Sequence, residues 1–239
     1  MTNLEYRQFV EAGGYEERTY WTAEGWDWIR NEAIHFPRYW LIPELNCPNA
    51  PVVGVSLYEA MAYCRWLGDR VSGSAGSVAP FHLPTPEQWD RALGLADTMI
   101  TGILRMRKPA APSVGFGRQQ IRNQILSDVI AHLDRALRDY DRWMVDREGG
   151  FGHQNLEGTP VGLFPPNENG CHDMLGRVWE WCSASEQESS INEPALVKGG
   201  PLKDRRGAVW SVLGGFFAPR VRFHQIGFRV CYDLQMSLQ

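Results

Sequence analysis

Two helix starts stand out in this 239-residue chain, and each is short and written in capping chemistry rather than in long apolar periodicity. Ser56-Leu-Tyr-Glu59 and Thr85-Pro-Glu-Gln88 have capping-box spacing, in which a hydroxyl and a carboxyl or amide group each satisfy an end amide of the helix. Elsewhere the chain is rich in aromatic residues, 12% of its length, set among 24 glycines and 15 prolines. There are 10 Trp, with Trp21, Trp26, Trp28 and Trp40 in one group and Trp179 and Trp181 in another. A chain of this kind fills the gaps between loops with large side chains, so most of these rings are expected in the core.

Residues 2–12 read as a helix capped by Thr2 or Asn3, with Tyr6, Phe9 and Val10 on its apolar side. Residues 13–50 are aromatic, punctuated by Gly and Pro, and expected to be mostly loop. Residues 51–55 form a buried strand or extended segment. The helix after Ser56 turns Ala60, Tyr63, Cys64 and Leu67 inward, which makes Cys64 a small core residue. Pro86 fits the first turn of the helix after Thr85. Residues 119–146 carry Ile121, Ile125, Val129, Leu133, Leu137 and Tyr140 about one helical turn apart. That amphipathic helix either packs on the domain's own core or offers a partner surface. Val178 to Trp181 alternates as a strand does, and Ile226 to Tyr232 is expected to be a terminal strand with Ile226, Phe228 and Val230 on one face.

The length suits one domain with a sizeable core. A net charge of −4 argues against a dedicated nucleic-acid binder. Five cysteines, with no CxxC, fit a reduced cytoplasmic setting. No apolar run approaches the roughly 20 residues of a membrane span, and no signal peptide opens the chain. Neither membrane nor nucleic acid is therefore expected as a partner.

Four segments, 51–68, 83–92, 164–182 (FPPNENGCHDMLGRVWEWC) and IGFRV at 226–230, together resemble the sulfatase-modifying, formylglycine-generating enzyme family. The resemblance implies an α+β fold: an elaborated C-type lectin fold with few short strands, two or three helices and long loops. It implies a single domain over 1–239 with a helical insertion at about 93–158. In that family a strand or two normally precedes the first helix, so those strands are expected to be trimmed or supplied by another segment.

The resemblance also implies a structural calcium. The matching positions are the side chains of Asp173 and Glu180 and the carbonyls of Gly176 and Val178, hard oxygen donors around a glycine turn. Arg177 stands where the family commonly has Asn. The other reading is a hydrogen-bonded turn with Glu180 satisfied by backbone amides. Catalytic members carry a C-x4-C pair after the Gly-Gly that follows WEW. Here Gly199-Gly200 is followed by Asp204 and Val209 at those positions, and residues 201–225 contain no cysteine. Copper is therefore not expected. Nor is iron, because the related sulfoxide synthases hold it with histidines of a preceding helical domain, and their His-x3-His-x-Glu motif is absent.

Residues 210–225, WSVLGGFFAPRVRFHQ, concentrate aromatic and apolar groups on a loop that the family usually keeps small and polar. This points to a binding patch for a protein or other macromolecular ligand: Asp204, Trp210, Ser211, Val212, Leu213, Phe216, Phe217, Val221, Phe223 and His224. The segment is also similar to the variable region of diversity-generating retroelement proteins, which share the fold and end in IGFR. The resulting expectation is a non-catalytic display module. The alternative is a formylglycine-generating or iron-dependent thiol-oxidising enzyme with a displaced active site.

Overall fold

The computed structural model describes residues 1–72, 81–107, 124, 126–131, 133, 158–183, 193–200 and 211–233. Among the described residues, the helices with complete bounds are α1 (Asn3–Glu11), α2 (Ala23–Asn31), α3 (Leu57–Ser72), α4 (Pro86–Leu93) and α5 (Asp97–Arg107). The short strands among the described residues are β1 (Phe81–His82), β2 (Trp179–Trp181), β3 (Ala195–Gly199), β4 (Gly215–Phe217), β5 (Ile226–Gly227) and β6 (Cys231–Tyr232). The mixture is α+β, as expected. The four-stranded sheet runs β4-β3-β2-β5, antiparallel except for the parallel β2–β5 pair, and β1 pairs with β6 separately.

Local chemistry explains the helix starts. Thr2 and Glu5 form a capping box on α1, Ser56 and Glu59 one on α3, and Thr85 and Gln88 one on α4, where Pro86 occupies the first turn. Gly94 closes α4 in the left-handed conformation, at φ 97°. The expectation of mostly loop over 13–50 missed α2. Thr22 caps it by accepting from the Gly25 amide, and Trp28 and Ile29 are buried beneath it. The sequence signal was there: a threonine cap with Glu24 in the first turn.

The core has two parts. In the first, Tyr6, Phe9, Tyr15, Trp21, Tyr63, Trp66 and Phe228 interlock, with Tyr6 stacked on Tyr63 at 5.3 Å and Phe9 edge-on to Trp66 at 5.6 Å. In the second, Trp89, Leu93, Ile100 and Ile103 meet Val129, Leu133, Leu196 and Val212. Val129 and Leu133 place the described turns of the long amphipathic helix on the domain's own core; Ile121, Ile125, Leu137 and Tyr140 lie outside the described residues. Residues 51–55 are buried, with a bend at Gly54 (φ 72°), and of these only Pro51 forms a bridge, to Thr2. The expected terminal strand is split. β5 joins β2 and β6 joins β1, and the chain passes between the two sheets at 228–230 with Phe228 buried.

Gly199-Gly200 ends β3 with both residues at positive φ, 80° and 90°. A Cβ at Gly200 would overlap the Trp179 ring, so the pair lets the backbone turn tightly against the WEW strand.

Candidate functional site

The turn between Asp173 and Glu180 is built around two arginines. Asp173 adopts a left-handed backbone, φ 53°, and its carboxylate accepts from the amides of Gly162 at 2.6 Å and Phe164 at 3.1 Å. Arg177 Nη1 also donates to it at 3.0 Å. The guanidinium of Arg177, almost wholly buried, donates further to the carbonyls of Pro160 and Thr159 and to the Thr159 hydroxyl. Burial lowers the Arg177 pKa from its ordinary value, and the facing Asp173 carboxylate works against that shift.

At the other end of the turn, Glu180 accepts from Trp89 Nε1 at 2.7 Å and from Arg229 Nε and Nη2 at 2.6 and 2.8 Å. Burial penalises the Arg229 cation, yet the Glu180 pair outweighs it and its pKa is raised. Arg229 also reaches the His172 carbonyl at 3.3 Å, so one side chain spans both ends of the turn. The two carbonyls expected as calcium ligands belong to the same turn, and the Val178 oxygen accepts from Gly200 N at 2.9 Å.

This donor set does not fit calcium as it stands. Both carboxylates are engaged by N–H donors, each has its own guanidinium, and the Val178 carbonyl already accepts one hydrogen bond. Glu180 is satisfied by side chains, not by the backbone amides that the hydrogen-bonded-turn reading called for. Among the described residues no group of three or more His, Cys, Asp and Glu could hold a metal ion.

A second buried pair lies behind the sheet. Lys198, on β3, donates to Asp90, on α4, with both side chains fully buried and the ammonium 5.1 Å from the Trp89 ring centre. A third links the loops to α3. Glu59 accepts from Ser56 N and the Tyr15 hydroxyl, each at 2.7 Å, and Arg222 Nε lies 3.1 Å away. Arg222 also donates to the carbonyls of Gly54 and Phe36, so this buried carboxylate anchors two surface loops.

Burial raises the Glu59 pKa above the ordinary 4.5, and Arg222 only partly opposes it. The folded state therefore takes up this proton before the unfolded chain does as pH falls. The Glu59 contribution to stability should grow as pH falls through the raised value, reach its limit below about pH 4.5, and be lost again as pH rises. Urea unfolding at pH 7, 6 and 5 should show the wild type gaining on Glu59→Gln by up to ~1.4 kcal/mol per pH unit. A pH-independent difference would show that Glu59 titrates normally.

The predicted ligand-binding residues separate into two sets. Phe216 and Phe223 are 61% and 47% exposed, and His224 is exposed with its ring 6.0 Å from Tyr39. Phe217 packs edge-on to Phe223 at 5.8 Å; Leu213 and Val221 are half-buried. Ser211 and Val212 are corrected: both are buried, and Val212 belongs to the second core cluster. Their apolar or small character serves packing rather than a surface. Asp204 and Trp210 lie outside the described residues. The structure adds residues to this face that the sequence did not point to, since Phe36 is exposed and the Arg222 bond joins its loop to 216–224. Loop–loop contacts between residues about 190 positions apart leave no local pattern to read.

Three of the five free cysteines are poorly suited to thiol chemistry. Cys64 is buried with its pKa pushed up to about 12 by desolvation, Cys182 is buried in the second core cluster, and burial also raises Cys231. His82 bonds the Leu83 carbonyl and Asp233, and His172 the Phe164 carbonyl, both structural roles; His153 lies outside the described residues.

The model of the sulfatase-modifying factor enzyme 1-like domain matches residues 1–234. This chain belongs to that family. Relatives include the hercynine oxygenases of Mycolicibacterium thermoresistibile and Mycobacterium tuberculosis, each 26% identical over 93% of this chain and over 45% and 46% of their own lengths. The formylglycine-generating enzyme of Thermomonospora curvata is 28% identical over 77% of this chain and 57% of its own length. The chain thus spans about half the length of these curated relatives. These relatives are enzymes, which overturns the expectation of a non-catalytic display module, and nothing in the comparisons supports a retroelement-diversified protein. Calcium and a macromolecular ligand gain no support from them either. Among the described residues, no helix is long and apolar enough to cross a membrane.

Proposed function

We propose that this chain is the sulfatase-modifying-factor-type portion of an oxygenase related to the hercynine oxygenases, acting on hercynine or a closely similar substrate together with a thiol. The observation that carries this reading is the breadth of the match: 93% of the chain aligns with the hercynine oxygenases, against 77% with a formylglycine-generating enzyme. The cysteine positions favour the same choice. Formylglycine chemistry in this family relies on a thiol pair after the Gly-Gly, and residues 201–225 have none.

The described residues do not fit an iron site, so no chemical step is assigned to iron. What they supply is a rigid scaffold: buried ion pairs hold the 36–39 and 216–224 loops and the 173–180 turn in fixed relation to the sheet. Such a scaffold can position a substrate beside catalytic groups that lie elsewhere.

The test is oxygen consumption by the full-length protein supplied with hercynine, a cysteine thiol and ferrous iron, with product mass recorded. Hercynine-dependent uptake and a product joining the two substrates are expected. Absence of uptake, with conversion of a cysteine in a sulfatase-type peptide to formylglycine, would replace this reading by the other enzymatic one.

A further inference from the structure

The family implies a calcium at the 173–180 turn, and the side chains around that turn disagree with it. We propose that the Arg177 guanidinium is a built-in replacement for that cation, so that the turn folds without calcium. This replacement is a property of the turn itself, whichever reaction the protein catalyses.

The geometry gives Arg177 the work a bound cation would do. It gathers oxygen atoms from two separate segments: the Asp173 carboxylate from its own turn, and the Thr159 and Pro160 carbonyls and Thr159 hydroxyl from the preceding loop. These are the oxygen types that hard cations attract: one carboxylate, two carbonyls and one hydroxyl. The charge is nearly dry, with only 1% of the side chain exposed. A buried charge of this kind persists only where oxygen partners surround it.

Asp173 completes the arrangement by accepting from the Gly162 and Phe164 amides, so the 159–164 loop is held by cation and anion together. Glu180, the other carboxylate implied as a calcium ligand, is neutralised separately by Arg229. A calcium ion entering here would meet a fixed positive charge bonded to one of its own ligands. Two positive charges held this close with little water between them repel strongly. The site is electrostatically closed by its own sequence.

Asparagine at position 177 would remove the charge and offer an amide oxygen, whereas methionine would remove the charge and offer none. That contrast gives the experiment: thermal melts of the purified chain and two variants, each in EDTA and in millimolar CaCl2, with bound calcium measured by mass spectrometry. The wild type should melt at the same temperature in both buffers and carry no stoichiometric calcium. Arg177→Met should melt ~5–10 °C lower in both, as expected for loss of one partner of a buried pair in a domain of this size. Arg177→Asn should be similarly lowered in EDTA and regain part of the loss in calcium, with about one ion bound per chain. If Arg177→Asn is unfolded in EDTA, recovery of the folded circular dichroism spectrum on adding CaCl2 is the same result. A wild type that binds one calcium and melts lower in EDTA would overturn the proposal. So would an Arg177→Met variant as stable as the wild type, or an Arg177→Asn variant indifferent to calcium.

Discussion

Lys198→Ala is expected to be among the most damaging single substitutions in this domain, lowering stability by ~3–5 kcal/mol. Lys198 and Asp90 are both fully excluded from solvent. Truncation removes the ammonium but leaves the carboxylate where it is, between α4 and β3, with its counter-ion gone. It also opens a cavity against Trp89, whose ring lies 5.1 Å from the ammonium. The cost arises from the stranded charge rather than from the intrinsic strength of the pair. The double variant Asp90→Leu/Lys198→Met should therefore recover most of the loss, because a well-packed apolar pair commonly matches a buried ion pair. Urea unfolding of the two variants and the wild type tests this. A single-variant loss below ~1 kcal/mol would mean the pair behaves as an exposed salt bridge.

Phe228→Ala should cost a comparable ~3–5 kcal/mol, the usual range for emptying a buried aromatic site. Phe228 is 3% exposed and lies 5.4 Å from the Tyr63 ring and 6.0 Å from the Tyr6 ring. It also stands where the chain passes from β5 to β6, so a cavity here loosens both sheets. Phe216→Ala is the control: that ring is 61% exposed, and its loss should change stability by no more than ~0.5 kcal/mol. Equal effects of the two substitutions in urea unfolding would contradict the division of residues 211–230 into core and surface.

The fold was legible where its determinants are local. The capping boxes at Ser56–Glu59 and Thr85–Gln88 predicted helix starts because an end amide and its acceptor lie three residues apart in sequence. The alternation of Trp179-Glu180-Trp181 indicated a strand for a similarly local reason: neighbouring side chains face opposite sides. α2 was missed although Thr22 and Glu24 mark its start, because its aromatic residues resemble the surrounding loops and its packing partners, such as Tyr58 against Trp28, come from another element. The split between β5 and β6 was hidden too, since IGFRVCY has one continuous apolar pattern and only β1 and β2, distant in sequence, determine which sheet each half joins.

The site divides along the same line. Sequence by itself determined the family-specific turn, the Gly-Gly pair and the absence of a thiol pair over 201–225, because each is a matter of which residue types occur at a fixed spacing. Only the tertiary structure decided what those residues do. It gave Asp173 to Arg177 and Glu180 to Arg229, buried Ser211 and Val212 while leaving Phe216 and Phe223 exposed, and joined Phe36 to Arg222 across the domain. Pairing and burial are properties of what the chain folds against. An arginine beside two carboxylates in sequence reveals a charge, but only its solvent exclusion and its oxygen partners make it a substitute for a metal ion.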